Sequence, residues 1–259
     1  SFVVLSMTRP AACCSRSRIA CGYRIRASFS SASCSSDPVS PPSRAAIVTL
    51  VRWSELLIRD WIAYHRAIGF SHLFIFFDDP AELDASGLQS SEQLTLLPYD
   101  KSIGQPHSYG DAPGLNTRQE LCANHAMRMA AARGGLDWLF HLDSDELFYA
   151  GPSPDALASH LAWLNDRGAT TYNYANLEAA PESEATGSPF DQLTLFKQHI
   201  DSVPRTPEAA RAGRYWSDKA SYFLYHDLGK PACRVHAGAR LLSPHEWYPA
   251  ELETAVCLT

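Results

Sequence analysis

The chain has 259 residues, of which 46% are hydrophobic and 19% are charged, and its formal net charge at pH 7 is −6. This is enough for one large α/β domain or two small ones with a substantial core. The mildly acidic balance argues against nucleic-acid binding, which needs clustered Lys and Arg. No apolar run of about 18 residues predicts a membrane-spanning helix.

The first 44 residues differ in composition from the rest. They are rich in Ser, Ala, Cys and Arg, and Asp37 is their one acidic residue. Such a segment is typical of an organelle transit peptide, here plastid-like, but also of a disordered tail or a mistranslated stretch. We therefore expect residues 1–44 to stand outside the fold.

The cysteines of the remaining chain show no metal-binding pattern. Cys122, Cys233 and Cys257 form no CxxC pair, which excludes a zinc ribbon. They leave open a reducing compartment, the cytoplasm included, or a single disulfide bond.

The first elements of residues 45–259 predict a strand, a helix and a second strand. Residues 45–51 form a β-branched apolar run that is typical of a buried parallel strand. One helical face is predicted by the spacing of Leu57, Trp61, Tyr64 and Ile68, and Gly69 follows as a C-cap. Residues 73–77 predict the second strand, so this segment has the length of a βαβ unit.

The pattern continues with a strand at 94–98, a helix that Asn116 or Thr117 caps and that ends at Arg133, and a strand at 138–142. Beyond these, Ser153 is expected to cap a helix with Leu157, Leu161 and Leu164 on one face, and residues 170–174 and 221–225 predict strands. Alternating buried strands and helices indicate an α/β fold: an open, mainly parallel sheet flanked by helices.

Ligands of open α/β sheets bind beyond the carboxyl ends of the strands. Two acidic clusters fall at such ends, namely Asp78–Asp79 and residues 143–146. Asp143 and Asp145 are two residues apart in extended chain, so their carboxylates lie about 6–7 Å apart on one side. Oxygen ligands at this spacing suit Mg²⁺ or Mn²⁺, which keeps positions open for substrate phosphates. An Asp-x-Asp is common in surface turns, but this one lies between two apolar runs, which favours a metal–diphosphate site.

Other candidates surround this edge of the predicted sheet. Asp78 or Asp79 could accept hydrogen bonds from a ribose hydroxyl or a base N–H, although Asp-Pro is also ordinary turn chemistry. Arg52 could contact phosphate or pair with Asp79, and Glu55 could instead serve as a first-turn acid of the helix.

Arg118 and Gln119 open a helix, whose N-terminus favours anions. Lys230 and His245 are later candidates in irregular sequence.

Three segments, residues 47–79, 116–130 and 137–148, together resemble glycosyltransferase family 92 and related family-2-like proteins. The resemblance depends on a Trp-x-x-Tyr-His helix and an Asp-x-Asp-Glu motif in this order. Trp53-Ser54 and Leu147-Phe148 depart from the family pattern.

The resemblance implies a GT-A-like mixed sheet, with residues 45–150 as the nucleotide-sugar-binding half and 151–259 as the acceptor half. It implies a UDP-hexose donor such as UDP-galactose, Mn²⁺ or Mg²⁺, a glycan or other hydroxyl acceptor, inversion of configuration, and a secretory-pathway or Golgi location.

Carried over to this chain, Asp143 and Asp145 would hold metal and donor, Asp78 or Asp79 would meet the nucleoside, and His245 would complete the metal site. Lys230 would face phosphate. An inverting transferase also needs a general base, for which Glu178 and Asp191 lie in the expected region.

Two other functions remain open. A nucleotidyltransferase would also use paired aspartates, but it usually needs a phosphate-binding loop after the first strand, and residues 51–54 do not supply one. A non-catalytic nucleotide-sugar-binding remnant of a transferase would retain the sheet and bind without turnover.

Overall fold

A computed structural model describes part of this chain. The described residues are 3–6, 23–24, 42–52, 55–100, 103, 114–180, 195–197, 228–249 and 256–258. The predicted strand at 221–225 lies outside them.

Four parallel strands form the centre of the sheet, in the order β6-β3-β4-β5. They are β3 (Ala45–Val51), β4 (His72–Phe77), β5 (Leu94–Pro98) and β6 (Trp138–His141). All four coincide closely with predicted strands, and β3 to β4 with its connecting helix confirms the βαβ unit.

Antiparallel strands extend the sheet beyond β6, so the sheet is mixed, as expected. β10 (Lys230–Arg234) pairs antiparallel with both β6 and β8 (Ala169–Ala179), and β9 (Leu195–Lys197) pairs with β8. A separate hairpin consists of β11 (Arg240–Ser243) and β12 (Glu246–Tyr248).

Short strands complete the sheet, and two of them come from the segment expected to stand outside the fold. β1 (Val3–Ser6) lies between β7 (Glu146–Tyr149) and β8, while β2 (Tyr23–Arg24) pairs with β9. β13 (Val256–Leu258) runs parallel to β8.

In the described ranges, four helices flank the strands: α1 (Glu55–Ala67), α2 (Pro80–Ser86), α3 (Leu115–Arg133) and α4 (Ala156–Asp166). Two expected caps are wrong. The N-cap of α3 is Gly114 rather than Asn116 or Thr117, and the N-cap of α4 is Asp155 rather than Ser153. The short helix α2 was not predicted, because Asp-Pro indicates a turn and a helix start equally well. No helix in the described parts of the chain is long and apolar enough to cross a membrane.

Two hydrophobic clusters cover the two faces of the sheet. Alternate residues of β3 supply both, because successive side chains of a strand point to opposite faces. One cluster packs under α1 and α4 and contains the fully buried Trp61, Trp138 and Phe148. The other packs under α3 and the β11–β12 hairpin. The carboxyl ends of β3, β4 and β6 therefore form one edge between two packed layers.

Three side chains on one face of α1 bind the backbone of β7. Trp61 Nε1 donates to the Glu146 carbonyl at 2.7 Å, and Tyr64 Oη donates to the Phe148 carbonyl at 2.9 Å. The Phe148 amide donates to His65 Nε2 at 3.1 Å. Since Nε2 accepts, His65 must carry its proton on Nδ1, which lies 2.9 Å from the Trp61 carbonyl. These contacts fix the imidazole as the neutral Nδ1–H tautomer.

The stability of this arrangement is expected to decrease in acid. Burial lowers the pKa of His65 to about 3, whereas the unfolded chain has a pKa of about 6.5 for histidine. Below pH 6.5 the His65 ring binds a proton in the unfolded state but not in the folded state, so the free energy of unfolding falls as pH falls. His65 alone should lower it by about 2 kcal/mol between pH 7 and pH 5.

Denaturant unfolding at the two pH values measures this decrease. The His65→Gln variant, which has no titrating ring, should show a decrease smaller by about that amount. An identical pH dependence in wild type and variant would contradict the assignment.

Candidate functional site

The segment between β6 and β7 is a tight turn closed in two ways. The Glu146 amide donates to the Asp143 carbonyl at 3.1 Å. The Asp143 amide donates to the Glu146 carboxyl at 2.9 Å, on Oε2. Glu146 is itself buried, with 6% of its surface exposed. The turn that presents Asp143 and Asp145 is thus fixed by its own fourth residue.

Lys230 lies against this turn from the start of β10. Its ammonium is 2.6 Å from Asp143 Oδ2 and 3.7 Å from Glu146 Oε2. Only 4% of the Lys230 side chain is exposed, compared with 33% of the Asp143 side chain. Lys230, which was expected from the sequence to face phosphate, is therefore a buried partner of Asp143.

The charges of this cluster shift one another's pKa values. Burial opposes ionisation of Asp143, but the Lys230 ammonium outweighs it and keeps the pKa of this carboxyl below its ordinary value. Burial raises the pKa of Glu146 to about 8, and the Asp143 charge adds to the effect. Burial and the Asp143 charge also raise the pKa of Asp145. The Asp143–Lys230 pair is thus ionised, and Asp145 lies in a field that opposes its negative charge.

The first turn of α3 connects both acidic clusters. Gln119 Nε2 donates to Asp143 Oδ1 at 2.6 Å. The neighbouring Arg118 binds both oxygens of Asp78, at 2.6 and 2.9 Å. Arg52, which is largely exposed, adds a third contact to Asp78 at 3.0 Å. One helix end therefore spans the carboxyl ends of β4 and β6, across β3.

The alternative pairing of Arg52 with Asp79 is wrong, since Arg52 binds Asp78. Asp79 instead caps α2, because its Oδ1 accepts a hydrogen bond from the Ala81 amide at 2.9 Å. Its position is that of a turn and helix cap. Glu55 begins α1, but its side chain lies outside the described residues.

Two histidines lie beside the Asp143 turn. His245, in the turn of the β11–β12 hairpin, donates from Nδ1 to the Gly229 carbonyl at 2.7 Å. His141 Nδ1 lies 3.1 Å from the Pro244 carbonyl, and burial lowers the pKa of this ring to about 4. Hydrogen bonds from Nδ1 to carbonyl groups fix the tautomer that leaves the Nε2 lone pair as the acceptor.

The expected three-ligand metal set is not assembled by these contacts. Within the described ranges, no group of three His, Cys, Asp or Glu side chains is arranged to hold a metal ion. The donor chemistry of the pair Asp143 and Asp145 nevertheless fits a hard cation, because carboxylate oxygens are the ligands that Mg²⁺ and Mn²⁺ prefer. A divalent ion needs only one or two carboxylates when a diphosphate completes its coordination.

The two candidate bases are placed differently. Glu178 and Glu146 lie opposite Val3 on the two sides of β1, so their backbones are about 10 Å apart, which is two strand spacings. The Glu178 side chain is buried and forms an ion pair with Lys197. Asp191 lies outside the described residues.

Sequence reasoning missed the structural role of Glu146 and the burial of Lys230. The role of Glu146 could have been found in the sequence, because an acidic side chain three residues after Asp143 can accept a hydrogen bond from the Asp143 amide, as in a capping box. The burial of Lys230 had no signal in the sequence, since Lys230 lies 87 positions beyond its partner Asp143.

The similarity to known proteins is partial. No family model matches the chain. Two Arabidopsis thaliana proteins named glycosyltransferase-like match it, with 24% identity over 213 residues and 23% over 209. Each match covers 73% of this chain, but 45% and 40% of the respective relative, so the chain spans less than half of either. These matches support a relationship to the glycosyltransferase superfamily.

Two solved structures align with part of this chain at low similarity. One is a mannosyltransferase from Pyrobaculum calidifontis in complex with GDP-mannose and Mn²⁺, with 16% identity, 51% of this chain and 37% of that chain covered, and a TM-score of 0.33. The other is the Mycobacterium tuberculosis protein Rv0371c with manganese, with 10% identity, coverages of 70% and 86%, and a TM-score of 0.28.

Removal of the Lys230 charge should be strongly destabilising. Lys230→Met leaves Asp143 and Glu146 facing each other without a cation, and loss of one partner of a buried pair costs about 3–5 kcal/mol. Denaturant unfolding of wild type and variant at the same pH measures the loss.

The added substitution Glu146→Gln supplies the control, because it removes the second ionisable carboxyl from the Lys230→Met protein. The double variant should recover part of the lost free energy of unfolding. Additive effects of the two substitutions would rule out a shared charge cluster.

Gly229 sets the position of Lys230, and alanine should not fit there. Its φ is +71°, and an added Cβ would lie 2.2 Å from the Tyr174 carbonyl oxygen. We expect Gly229→Ala to lower the free energy of unfolding by about 3 kcal/mol, from backbone strain and overpacking together.

Gly87 provides the comparison, since its φ is +61° and nothing lies within 4 Å of an added Cβ. Gly87→Ala should therefore cost only the strain, about 1 kcal/mol. Equal losses in the two variants, measured by denaturant unfolding, would refute the predicted clash.

Proposed function

We propose that this chain contains the donor site of a glycosyltransferase, which transfers a hexose from a nucleotide sugar to a hydroxyl acceptor. The observation that carries the proposal is the connection of Asp78 to Asp143 through Arg118 and Gln119. This places two acidic clusters and two arginines along one edge of an α/β sheet, where ligands of such sheets bind. The names of the two plant relatives point to the same class of enzyme.

In this proposal the nucleoside lies near Asp78 and the diphosphate near the Asp143–Glu146 turn. Arg52 is 78% exposed on its side chain, so its guanidinium can contact a phosphate or the nucleoside while it also binds Asp78. Asp78 acts mainly by holding Arg118 and Arg52 at the edge, because both of its oxygens already accept hydrogen bonds from them.

A divalent cation, Mn²⁺ or Mg²⁺, would be held by Asp143 and Asp145 and would offset the charge that develops on the diphosphate leaving group. Asp143 is oriented for this role by Gln119 and Lys230, which occupy one position on each of its oxygens. A carboxylate has about four lone-pair positions, so both oxygens keep capacity for a further ligand. His245, held on the Gly229 carbonyl, would approach the same site from the hairpin turn.

Attack by the acceptor hydroxyl with inversion requires a base that takes its proton. Glu178 and Asp191 remain the proposed candidates, and the ion pair with Lys197 would have to open for Glu178 to act. A UDP-hexose donor such as UDP-galactose, a glycan acceptor and membership of family 92 are proposed on the sequence resemblance.

The test is release of free nucleotide from a panel of UDP- and GDP-sugars by the full chain, with Mn²⁺ or with chelator. We expect metal-dependent release from one donor and a loss of at least about 100-fold in Asp145→Asn, since this carboxylate would contact the cation directly.

Asp84→Asn, which changes an exposed carboxylate on α2, should leave the rate unchanged. Binding of a nucleotide sugar without release would favour the non-catalytic remnant. A folded protein that neither binds nor releases any nucleotide would refute the proposal.

A further inference from the structure

We propose that Trp61, Tyr64 and His65 are positioning residues of the donor site, and this inference rests on the proposed function. They hold the strand that follows Asp145, and through it they fix the carboxylate that would contact the cation. The three residues are i, i+3 and i+4 on α1, so they share one helical face.

These side chains take the place of a neighbouring strand along one edge of β7. Backbone groups of residues i and i+2 in a strand lie on the same edge. On that edge the Glu146 carbonyl is bound by Trp61, and the carbonyl and amide of Phe148 are bound by Tyr64 and His65. β7 also pairs in parallel with β1. The strand is therefore fixed laterally by side chains whose hydrogen-bonding atoms are all used on the backbone.

The position of Asp145 depends on this attachment. On one side of Asp145, Asp143 is held by Gln119 and Lys230. On the other side, the Glu146 carbonyl is held by Trp61, and the Glu146 carboxyl returns to the Asp143 amide. The residues on both sides of Asp145 are thus held by contacts, and α1 supplies the contact to Glu146. Loosening this contact should misplace Asp145 without removing any group that contacts the donor.

The expected effect is weaker Mn²⁺-dependent binding of nucleoside diphosphate. Loss of a group that orients a metal ligand typically weakens metal affinity about 10- to 100-fold. Tyr64→Phe, which deletes only the hydroxyl on the Phe148 carbonyl, should weaken binding of UDP or GDP about tenfold in the presence of Mn²⁺.

The experiment is calorimetric titration of the full chain with UDP and with GDP, each with Mn²⁺. The matched control is Tyr174→Phe, which deletes a buried tyrosine hydroxyl that is bonded to His160 rather than to β7. A second pair of variants tests His65. The amide oxygen that His65→Gln introduces can still accept from the Phe148 amide, so this variant should bind nearly as wild type does. His65→Leu cannot accept, and it should bind about tenfold more weakly.

Hydrogen exchange of the Phe148 amide reports this attachment independently of any ligand. The proposal requires faster exchange in His65→Leu than in His65→Gln, together with the affinity losses above. Equal affinities of Tyr64→Phe and Tyr174→Phe, in a wild type that binds nucleotide, would overturn the positioning role and leave the donor site standing. A wild type that binds neither nucleotide, yet protects the Phe148 amide, would refute the proposed function and reduce the α1 contacts to fold stabilisation.

Discussion

The buried ammonium of Lys230 is the contact on which the candidate site depends. Asp143 and Glu146 bring two carboxyls into a turn that is closed by backbone and side-chain hydrogen bonds, and one cation lies within 3.7 Å of both. Without it, burial would drive Asp143 toward the protonated form, as burial already does for Glu146. The glycine before Lys230 is equally constrained, because the Tyr174 carbonyl leaves no space for a Cβ. The acidic turn therefore requires the antiparallel strand β10 beside it.

The same turn is held from three directions by three different parts of the chain. β10 contributes Lys230, the first turn of α3 contributes Gln119, and α1 binds the backbone of β7. Arg118 extends this connection to Asp78, so that one helix end contacts both acidic clusters. In this arrangement the charged groups are positioned by protein contacts before any ligand arrives. Preorganised charges of this kind stabilise developing charge without a cost of reorganisation.

The sequence predicted the parallel half of the fold well and the antiparallel half poorly. β3, β4 and β6 are buried on both faces and β5 is buried on one face and partly buried on the other, so each has a mainly apolar signal between polar loops. β7 and β10 have short, mixed patterns whose burial comes from neighbours distant in the sequence. The strands β1 and β2 lie in a segment with the composition of a leader, and composition alone does not predict which strands pair.

The order of elements and the location of two acidic clusters at strand ends follow from the sequence by itself, because hydrophobic periodicity and strand direction are local properties. The partners of those acids do not follow from it. Asp78 is paired with Arg118 and Asp143 with Lys230, at separations of 40 and 87 residues. Such pairs are selected by the packing of helices and strands into layers, which brings side chains together irrespective of their spacing along the chain. The acidic segment 143–146 could be identified from the sequence, but the tertiary structure decided which charges face it and how its turn is held.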